Sequence, residues 1–467
     1  MQLIIDVIEF FCRILWGDLV NLPLPGGQTV GVPLLVLLLI PTGIYFTVRT
    51  RFLPVRLFPE MIRVTLEKNG HHTDAISGLQ SLMVSTATRV GMGNLVGVVA
   101  AVSAGGAGAV FWMWLMALIG SSTAFIEATL AQLHKQKDPL YGGYRGGPAY
   151  YIHDYVMDKK EKRGGKASRY SLIAVLFALS GLLCWCGISQ VIGNSVSSAF
   201  ENAFSIPPIY TTAVLVALAA VIVLRKNATV KVLDVMVPVM AGIYLLITVF
   251  IIMKNIGQLP AVFGRIFEEA FGLRQAAAGG FGAVLMNGVK RGLFSNEAGS
   301  GSAPCSAAAA ESDQPAKVGL IQSFGVFIDT IVICSCTAMI MLLVPVEQTA
   351  GLQGMELLQT AMEFHLGRFG VLFVVLILWL FSFSTFIGIL FYARSNVAYL
   401  FGDNWGSQTA YKVLALVMLF IGGLAAYTFV WDLSDVGIGL MTIFNLLIIL
   451  PGAGPALDAL REYERKR

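Results

Sequence analysis

Charged residues are scarce in this chain of 467 residues. Asp, Glu, Lys and Arg together make up 13% of it, whereas hydrophobic residues make up 56% and the mean hydropathy is +0.74. A soluble globular domain carries about 25% charged residues, so the composition excludes a protein that folds in water alone. The net charge of +4 is concentrated in short loops between apolar segments. This distribution indicates membrane topology and excludes a basic nucleic-acid-binding surface.

No hydrophilic stretch is long enough to form a soluble domain of its own. The longest covers 134–169, and its glycine-rich run over 141–148 lacks the Lys-Ser/Thr pair of a phosphate-binding loop, which argues against nucleotide binding. We predict instead a turn that leads into a short helix over 148–155. Cysteine is rare, with six residues, and its two Cys-x-Cys pairs lack a second pair at metal-site spacing, so we interpret the cysteines as packing residues.

Apolar segments are abundant. A membrane-spanning helix needs about 20 mostly apolar residues. Eleven segments are predicted to span, at 32–48, 75–103, 109–133, 170–200, 209–225, 232–254, 276–308, 320–346, 369–400, 411–430 and 435–451. Residues 1–31 lack the basic start and small-residue cleavage site of a signal peptide, so we predict an N-terminal segment that lies at the membrane interface.

The basic residues of the loops predict the orientation. With eleven spans and the N-terminus outside, the inside segments hold 22 Lys and Arg residues and the outside segments hold 5. Basic residues are enriched in cytoplasmic loops. The sequence therefore predicts an N-out/C-in protein whose residues 452–467 form a cytoplasmic tail.

Polar residues interrupt the second segment at Gly91-Met92-Gly93-Asn94. Two glycines one residue apart are typical of close helix packing, but Asn94 and the nearby Arg89 are costly in lipid without partners. Unwound backbone in a bilayer is tolerated only where it lines a cavity or is buried in protein. We therefore predict a helix break of the kind that forms the substrate site in secondary transporters.

A second such stretch covers 287–304, in the seventh segment. Its Lys290, Arg291 and Glu297 could pair with one another as a structural lock or contact a substrate, and both alternatives stay open. The two interrupted segments are five spans apart, which predicts two inverted five-helix repeats that each open with a discontinuous helix, over 75–254 and 276–451.

Two further intramembrane features contain polar side chains. The adjacent hydroxyls of Ser384 and Thr385 in the ninth segment either bond back to their own helix or contribute to an oxygen cage for a monovalent cation. Asp329 is interpreted as a structural partner of Arg89 or Arg291 rather than as an ion ligand. The five histidines fall in predicted loops, so a histidine relay or metal centre is not expected.

Several runs resemble the alanine/glycine:cation symporter family of prokaryotes. They lie at 89–98, 105–114, 146–151, 291–299, 301–304 and 329–331, and the likeness extends from about 32 to 451. The resemblance implies an all-α integral membrane protein with a LeuT-like 5+5 core, preceded by 32–48 as an extra helix, in the cytoplasmic (inner) cell membrane of a prokaryote. It also implies sodium-coupled symport of a small neutral amino acid by alternating access, with Na⁺ as the co-transported ion.

The resemblance assigns site residues as well. The amides of Met92 and Gly93 would bind the substrate carboxylate. The carbonyls of Ala87, Val90 and Phe381 and the hydroxyls of Ser384 and Thr385 would bind Na⁺. The other expected substrate-site residues, with Phe294 as a gate or pocket residue, are Asn94, Gln190, Ile192, Asn287, Phe294 and Asn296.

Two departures from the family pattern leave the substrate open. Met92 stands where the family usually has Thr, and Ile192 stands where Gln is frequent, with Gln190 nearby. The alternatives are glutamine or another neutral amino acid as the main substrate, and proton coupling. A channel would need a continuous pore, and no pattern of catalytic residues indicates an enzyme. The expected partners are a small amino acid and the lipid bilayer, with no nucleic acid, and the expected state is a monomer.

Overall fold

The computed structural model describes residues 2–23, 29–67, 82, 86, 89–166, 168–225, 230–272 and 280–467. These residues are predominantly helical. The α-helices are α1 (Gln2–Trp16), α2 (Leu34–Arg49), α3 (Leu53–Arg56), α4 (Phe58–Leu66), α5 (Val98–Gly105), α6 (Gly108–Leu133), α7 (Pro148–Lys162), α8 (Leu172–Phe204), α9 (Pro208–Val223), α10 (Val230–Lys254), α11 (Leu259–Ala270), α12 (Gly280–Asn296), α13 (Pro304–Ala309), α14 (Pro315–Val326), α15 (Ser335–Leu342), α16 (Val346–Thr349), α17 (Gly354–Leu366), α18 (Arg368–Phe401), α19 (Trp405–Leu424), α20 (Tyr427–Gly452) and α21 (Gly454–Lys466). A first π-helix (Arg89–Gly97) precedes α5, and a second π-helix (Phe327–Cys334) joins α14 to α15.

The outer surface of the helical bundle is strongly apolar. Large side chains such as Leu246 and Leu376 are exposed to 71% and 58%, which only a lipid surrounding makes favourable. Among the described residues, seven helices are long and apolar enough to cross a membrane, and three shorter apolar helices accompany them. Each predicted segment overlaps one of the helices, so a multi-pass helical protein is confirmed, while the count of eleven and the orientation stay predictions.

Helix α8 packs along α18, α19 and α20. Small residues let these backbones approach closely. A Cβ on Gly187 would lie 2.3 Å from the amide nitrogen of Ser434, and a Cβ on Gly437 would lie 2.4 Å from the Cα of Cys184. Tight glycine contacts of this kind are the usual way in which membrane helices associate, since lipid supplies no hydrophobic drive between them.

Two short antiparallel hairpins depart from the all-α prediction. Strands β1 (Asp18–Pro23) and β2 (Thr29–Pro33) follow α1, and strands β3 (Gln136–Lys137) and β4 (Tyr144–Arg145) precede α7. The segment 134–169 therefore holds a hairpin before the predicted helix, which extends to Lys162. In strands this short, the alternation of apolar and polar residues is too brief to predict a strand from the sequence.

The predicted boundaries between the tenth and eleventh segments are wrong. The tenth segment was expected to continue to residue 430, but α19 ends at Leu424 and α20 begins at Tyr427. The residues between 425 and 431 are small or apolar, so hydropathy continues across the turn. Two of the histidines that were assigned to loops between spans lie in helices: His153 in α7, within the helix predicted over 148–155, and His365 in α17.

Both ends of the chain dock on the bundle. Trp16 at the end of α1 donates its indole N–H to the carbonyl of Asp435 on α20, at 3.1 Å. At the other end, α21 packs against α6 and α14, and Tyr463 bonds to the buried carboxylate of Glu60. Residues 452–467 thus form a docked helix.

Candidate substrate and cation site

The backbone at Gly91–Asn94 is helical, in a π-helical form. The prediction of an unwound break at these four residues is therefore wrong for the described backbone, which continues as a π-helix to Gly97 and as α5 to Gly105. A π-helix adds a residue to the turn and occurs frequently at functional sites. The glycines weaken the α-helix as expected, but the local sequence does not distinguish a change of helix type from an unwound segment.

Gly91 brings the first π-helix into direct contact with α18. A Cβ at this position would lie 2.1 Å from the hydroxyl oxygen of Thr385 and 3.7 Å from the carbonyl oxygen of Phe381. The amide of Met92 donates to the same Thr385 hydroxyl at 3.1 Å. The Met92 amide, expected to bind a substrate carboxylate, therefore has a hydroxyl partner in this structure.

The five residues expected to bind Na⁺ are only partly brought together. Thr385 lies against Gly91 with the Phe381 carbonyl nearby, and the Ser384 hydroxyl donates to that carbonyl at 3.0 Å. Back-bonding of Ser384 was one of the two alternatives. Val90 belongs to the first π-helix, and Ala87 lies outside the described residues. The Na⁺ assignment stays a prediction.

A buried polar cluster joins the two π-helices to the end of α12. The hydroxyl oxygen of Ser295 lies 2.8 Å from Asn94 Oδ1 and 2.9 Å from Asp329 Oδ2. Asn94 also donates to the carbonyl of Asp329 at 3.4 Å, and Thr330 donates to its carboxylate at 2.9 Å. Asn94, Ser295 and Asp329 are at most 1% exposed. We call these three residues the central cluster.

The predicted break in the seventh segment is present. Helix α12 ends at Asn296 and α13 begins at Pro304. Between them Glu297, Gly299 and Gly301 have φ angles of 57°, 95° and 83°. Left-handed backbone ends a helix, and glycine adopts it without steric cost. This connection is buried among helices, where irregular backbone in a membrane protein must be satisfied by protein groups.

The charged residues of α12 pair with a residue that the sequence analysis did not select. Asp435 on α20 accepts from Lys290 at 2.6 Å and from Arg291 at 3.0 Å. The mutual lock of Lys290, Arg291 and Glu297, one of the two alternatives left open, is therefore wrong. Of the two partners predicted for Asp329, Arg291 is wrong as well. Glu297 instead accepts from Tyr392 at 3.3 Å. The side chain of Arg89 lies outside the description.

Phe294 covers the first π-helix. Its ring lies 3.5 Å from the position of a Cβ on Gly97 and packs edge-on against Trp431 with 5.0 Å between centroids. The guanidinium of Arg291 lies 3.8 Å from the centroid of the same Trp431 ring, a cation–π contact. Phe294 is thus held between a π-helix and an aromatic side chain of α20.

The remaining predicted residues divide between this region and others. Asn296 is fully buried, and its Oδ1 caps the amide of Ala298. Gln190 contacts Met418 on α19, Asn287 bonds back to Ala283 in its own helix, and Ile192 is a buried core residue. The hydrogen-bond partners of Gln190 and Asn287 thus lie away from the central cluster, and their substrate roles stay predictions.

The fold is shared with solved transporters. The structure superposes on the crystal structure of MhsT in complex with L-phenylalanine with a TM-score of 0.57 at 12% identity, covering 84% of this chain and 93% of that chain. A manganese transporter of Eremococcus coleocola, in complex with an aromatic bis-isothiourea substituted compound, gives 0.52 at 10% identity, with coverage of 86% and 80%. Together with the apolar surface, these likenesses define the class as a membrane protein of the LeuT fold.

The family follows from the sequence comparisons. The model of the sodium:alanine symporter family matches residues 25–467, and the chain belongs to that family. The probable sodium/glutamine symporter GlnT of Bacillus subtilis (strain 168) is 42% identical over 437 residues, 93% of this chain and 88% of that protein. The sodium/alanine symporter AgcS of Methanococcus maripaludis is 33% identical over 458 residues, with coverage of 96% and 98%. The putative sodium/proton-dependent alanine carrier protein YrbD of Bacillus subtilis is 38% identical, covering 92% and 90%.

Proposed function

We propose that this chain is a sodium-coupled symporter of a small neutral amino acid that works by alternating access in the cell membrane. The single observation that carries the site assignment is the contact of Gly91 and Met92 with Thr385. It joins the glycine-containing first π-helix, through its Met92 amide, to a buried hydroxyl. Helix termini and irregular turns that expose such groups supply substrate and ion sites in transporters with discontinuous helices.

The proposed architecture is eleven spans, N-out/C-in, in two inverted repeats after an extra first helix. The two irregular segments support it. The first π-helix lies in the second apolar segment and the break at 297–303 lies in the seventh, five spans apart. In the proposed cycle, the amino acid lies between the first π-helix and the end of α12, where Phe294 covers it. Sodium lies between the first π-helix and Thr385.

Coupling follows from the shared element. Because the same π-helical turn would bind both the ion and the substrate carboxylate, occupancy by one pre-orders the backbone for the other. A membrane potential of 100 mV contributes about 2.3 kcal/mol per charge moved. One Na⁺ per cycle would therefore concentrate a zwitterion about 50-fold before the sodium gradient adds to it.

Alanine or glycine is the proposed substrate class, and glutamine is the alternative. Relatives named for alanine and for glutamine are both similar to this chain. Met92 is 1% exposed beside the Gly91–Thr385 contact. In the proposed site its long side chain would leave less room for the substrate than the Thr that is usual in the family. This packing favours the small substrate.

Proton coupling is the second candidate, and a specific observation supports it. The Ser295 hydroxyl has one proton but lies within 2.9 Å of two acceptors, Asn94 Oδ1 and Asp329 Oδ2. A proton on Asp329 or a cation between these oxygens would satisfy the arrangement. The hydroxyl pair at 384–385 lacks a titratable group, whereas the central cluster has one.

The test is radiolabelled uptake into proteoliposomes under an imposed Na⁺ gradient, competed by each amino acid in turn, with a parallel H⁺ gradient in Na⁺-free buffer. We expect uptake of alanine or glycine that requires Na⁺. Thr385→Ala should abolish Na⁺ stimulation while the protein inserts normally. Ser382→Ala is the matched control, since Ser382 bonds only to Trp379 of its own helix among the described contacts. Unchanged Na⁺ dependence in Thr385→Ala would remove the cation-site assignment.

A further inference from the structure

A buried carboxylate outside the proposed substrate and cation sites faces the break in the seventh segment. Glu127 lies on α6 and is 1% exposed. Its Oε2 accepts the amide N–H of Gly299 at 3.0 Å, and its Oε1 accepts from the side-chain amide of Asn445. A carboxylate is costly to bury and persists only where donors compensate it. Here part of that compensation comes from the backbone of the break.

Asn445, on α20, completes the contact with Gly299. Its Nδ2 also donates to the Gly299 carbonyl at 3.0 Å, and its Oδ1 accepts from the Tyr151 hydroxyl at 2.5 Å. Both polar groups of Gly299 are therefore bound by side chains, from two different helices. We call Glu127, Asn445 and Tyr151 the Gly299 seat.

The position of Gly299 leaves little room for another arrangement. Its φ of 95° is in the left-handed region, and a Cβ would lie 3.1 Å from the side chain of Leu39. The backbone at this point has left α12, so its amide and carbonyl have no helical partners. Buried backbone groups need partners, and the seat supplies them for one conformation of the break.

We propose that Glu127 is a positioning residue for transport, which acts by fixing the Gly299 peptide through the seat and so sets the place of Ser295 and Asn296, four and three residues earlier. This inference rests on the proposed function, because those two residues form the wall of the proposed substrate site. The Gly299 N–H and the Asn445 side-chain amide donate to the Glu127 carboxylate, and the Tyr151 hydroxyl donates to Asn445. These contacts hold the break to α6 and α20, while the end of α12 forms the wall of the proposed site.

The hydrogen-bond pattern requires that both side-chain atoms at the end of residue 127 accept hydrogen bonds. In Glu127→Gln, one amide orientation turns an NH₂ group toward the Asn445 NH₂, and the other turns it toward the Gly299 N–H. Rotation of the Asn445 amide relieves the first clash but turns its oxygen toward the Gly299 carbonyl. Each arrangement of these groups therefore leaves one like-with-like contact, although glutamine has nearly the same shape as glutamate.

The experiment compares wild type, Glu127→Gln, Tyr151→Phe and the matched control Glu161→Gln, which makes the same chemical change on an exposed face of α7. Each is reconstituted at equal amounts of folded protein, and the KM and Vmax of Na⁺-driven uptake of the best amino acid are measured. We expect Glu127→Gln to raise KM about ten-fold or more, as one unsatisfied buried polar contact does. Tyr151→Phe should raise it less, and Glu161→Gln should not change it.

Each outcome decides the proposal. A lower Vmax with unchanged KM in Glu127→Gln overturns it, because a residue needed only for folding lowers the number of active molecules. Where Glu127→Gln yields no folded protein, Tyr151→Phe decides: a raised KM supports the seat and an unchanged KM overturns it. Absence of Na⁺-driven uptake in the wild type contradicts the proposed function, and this outcome appears before any variant is compared.

Discussion

Substitution of Gly91 by alanine tests the contact on which the site assignment rests. The added Cβ would lie 2.1 Å from the Thr385 hydroxyl oxygen, far inside van der Waals contact. Thr385 has little freedom to move away, because a β-branched side chain in a helix has few χ1 rotamers. Its hydroxyl also accepts the Met92 N–H, so a rotation that relieves the clash removes the partner of a buried amide.

The magnitudes predict the sign of the effect. Overpacking a core costs about 1–3 kcal/mol, and an unsatisfied buried amide costs about 1–3 kcal/mol more. Against this, replacing glycine by alanine inside a helix gains about 0.5–1 kcal/mol. The net expectation for Gly91→Ala is a loss of about 1–5 kcal/mol. Gly242→Ala on α10 is the control, since nothing lies within 4 Å of its Cβ position, and it should be neutral or slightly stabilising.

The double variant separates the clash from other effects. In Gly91→Ala/Thr385→Ala the offending oxygen is absent, so this protein should be more stable than Gly91→Ala alone, with a coupling of about 0.5–3 kcal/mol. Transport should stay abolished, because Thr385 is a proposed cation ligand. The assay is thermal unfolding of purified protein, with uptake measured on the same samples. If Gly91→Ala is as stable as Gly242→Ala, or if the two changes are additive, then residues 91 and 385 do not approach as described.

Two further predictions concern the buried residues Asp435 and His365. Asp435→Asn leaves the half-buried Lys290 and the buried Arg291 without their shared carboxylate and should destabilise the fold by about 3–5 kcal/mol. Asp458→Asn, which breaks an exposed pair with Arg461, should change stability by less than about 0.5 kcal/mol, and equal unfolding midpoints for the two variants would contradict the buried cluster. Burial lowers the pKa of His365 on α17 below its ordinary value of 6.5. The unfolded chain therefore takes up a proton first, and stability should fall as pH decreases from 6.5 through the lowered pKa. His365→Gln should flatten that slope, because glutamine does not titrate, while its amide can still donate to the Ile340 carbonyl. An unchanged slope in thermal unfolding from pH 8 to pH 5 would assign the titration to another group.

The sequence predicts those features whose cause is local. Gly299 and Gly301 indicate the break in the seventh segment because glycine in an apolar run has a direct backbone consequence, and the helices follow from apolar length. Gly91 and Gly93 indicate a weakened helix for the same reason. The π-helical form, however, occurs where this segment contacts Thr385, 294 positions further along the chain, and local propensity gives no information on such a contact.

The sequence does not identify the partners of the intramembrane charges, because each partner lies far from its charge along the chain. Lys290 and Arg291 stand beside Glu297 in sequence, but α12 turns both cations toward Asp435, which lies in an apolar segment 144 residues after Arg291. Ser295 shows no signal beyond being one hydroxyl among many, yet it joins Asn94 to Asp329. A general cue was present, since each intramembrane ionisable residue requires a partner. The cue predicts that Asp435 and Glu127 have partners, but only tertiary structure identifies them.

The two irregular segments are stabilised in different ways, and the difference bears on which of them moves. The first π-helix keeps helical backbone bonding, its Met92 amide donates to Thr385 on α18, and its Asn94 side chain belongs to the central cluster. The break at Gly299 has lost its helical bonds and depends on Glu127 and Asn445 for both backbone groups. A segment whose backbone hydrogen bonds are intact can shift as a unit and exchange a side-chain partner for a substrate carboxylate or an ion without exposing unpaired backbone groups. Displacing Gly299 would instead expose two buried backbone groups at once, at a cost of about 1–3 kcal/mol each. We therefore expect the first π-helix to respond to ligands and the Gly299 seat to act as the fixed point of the site.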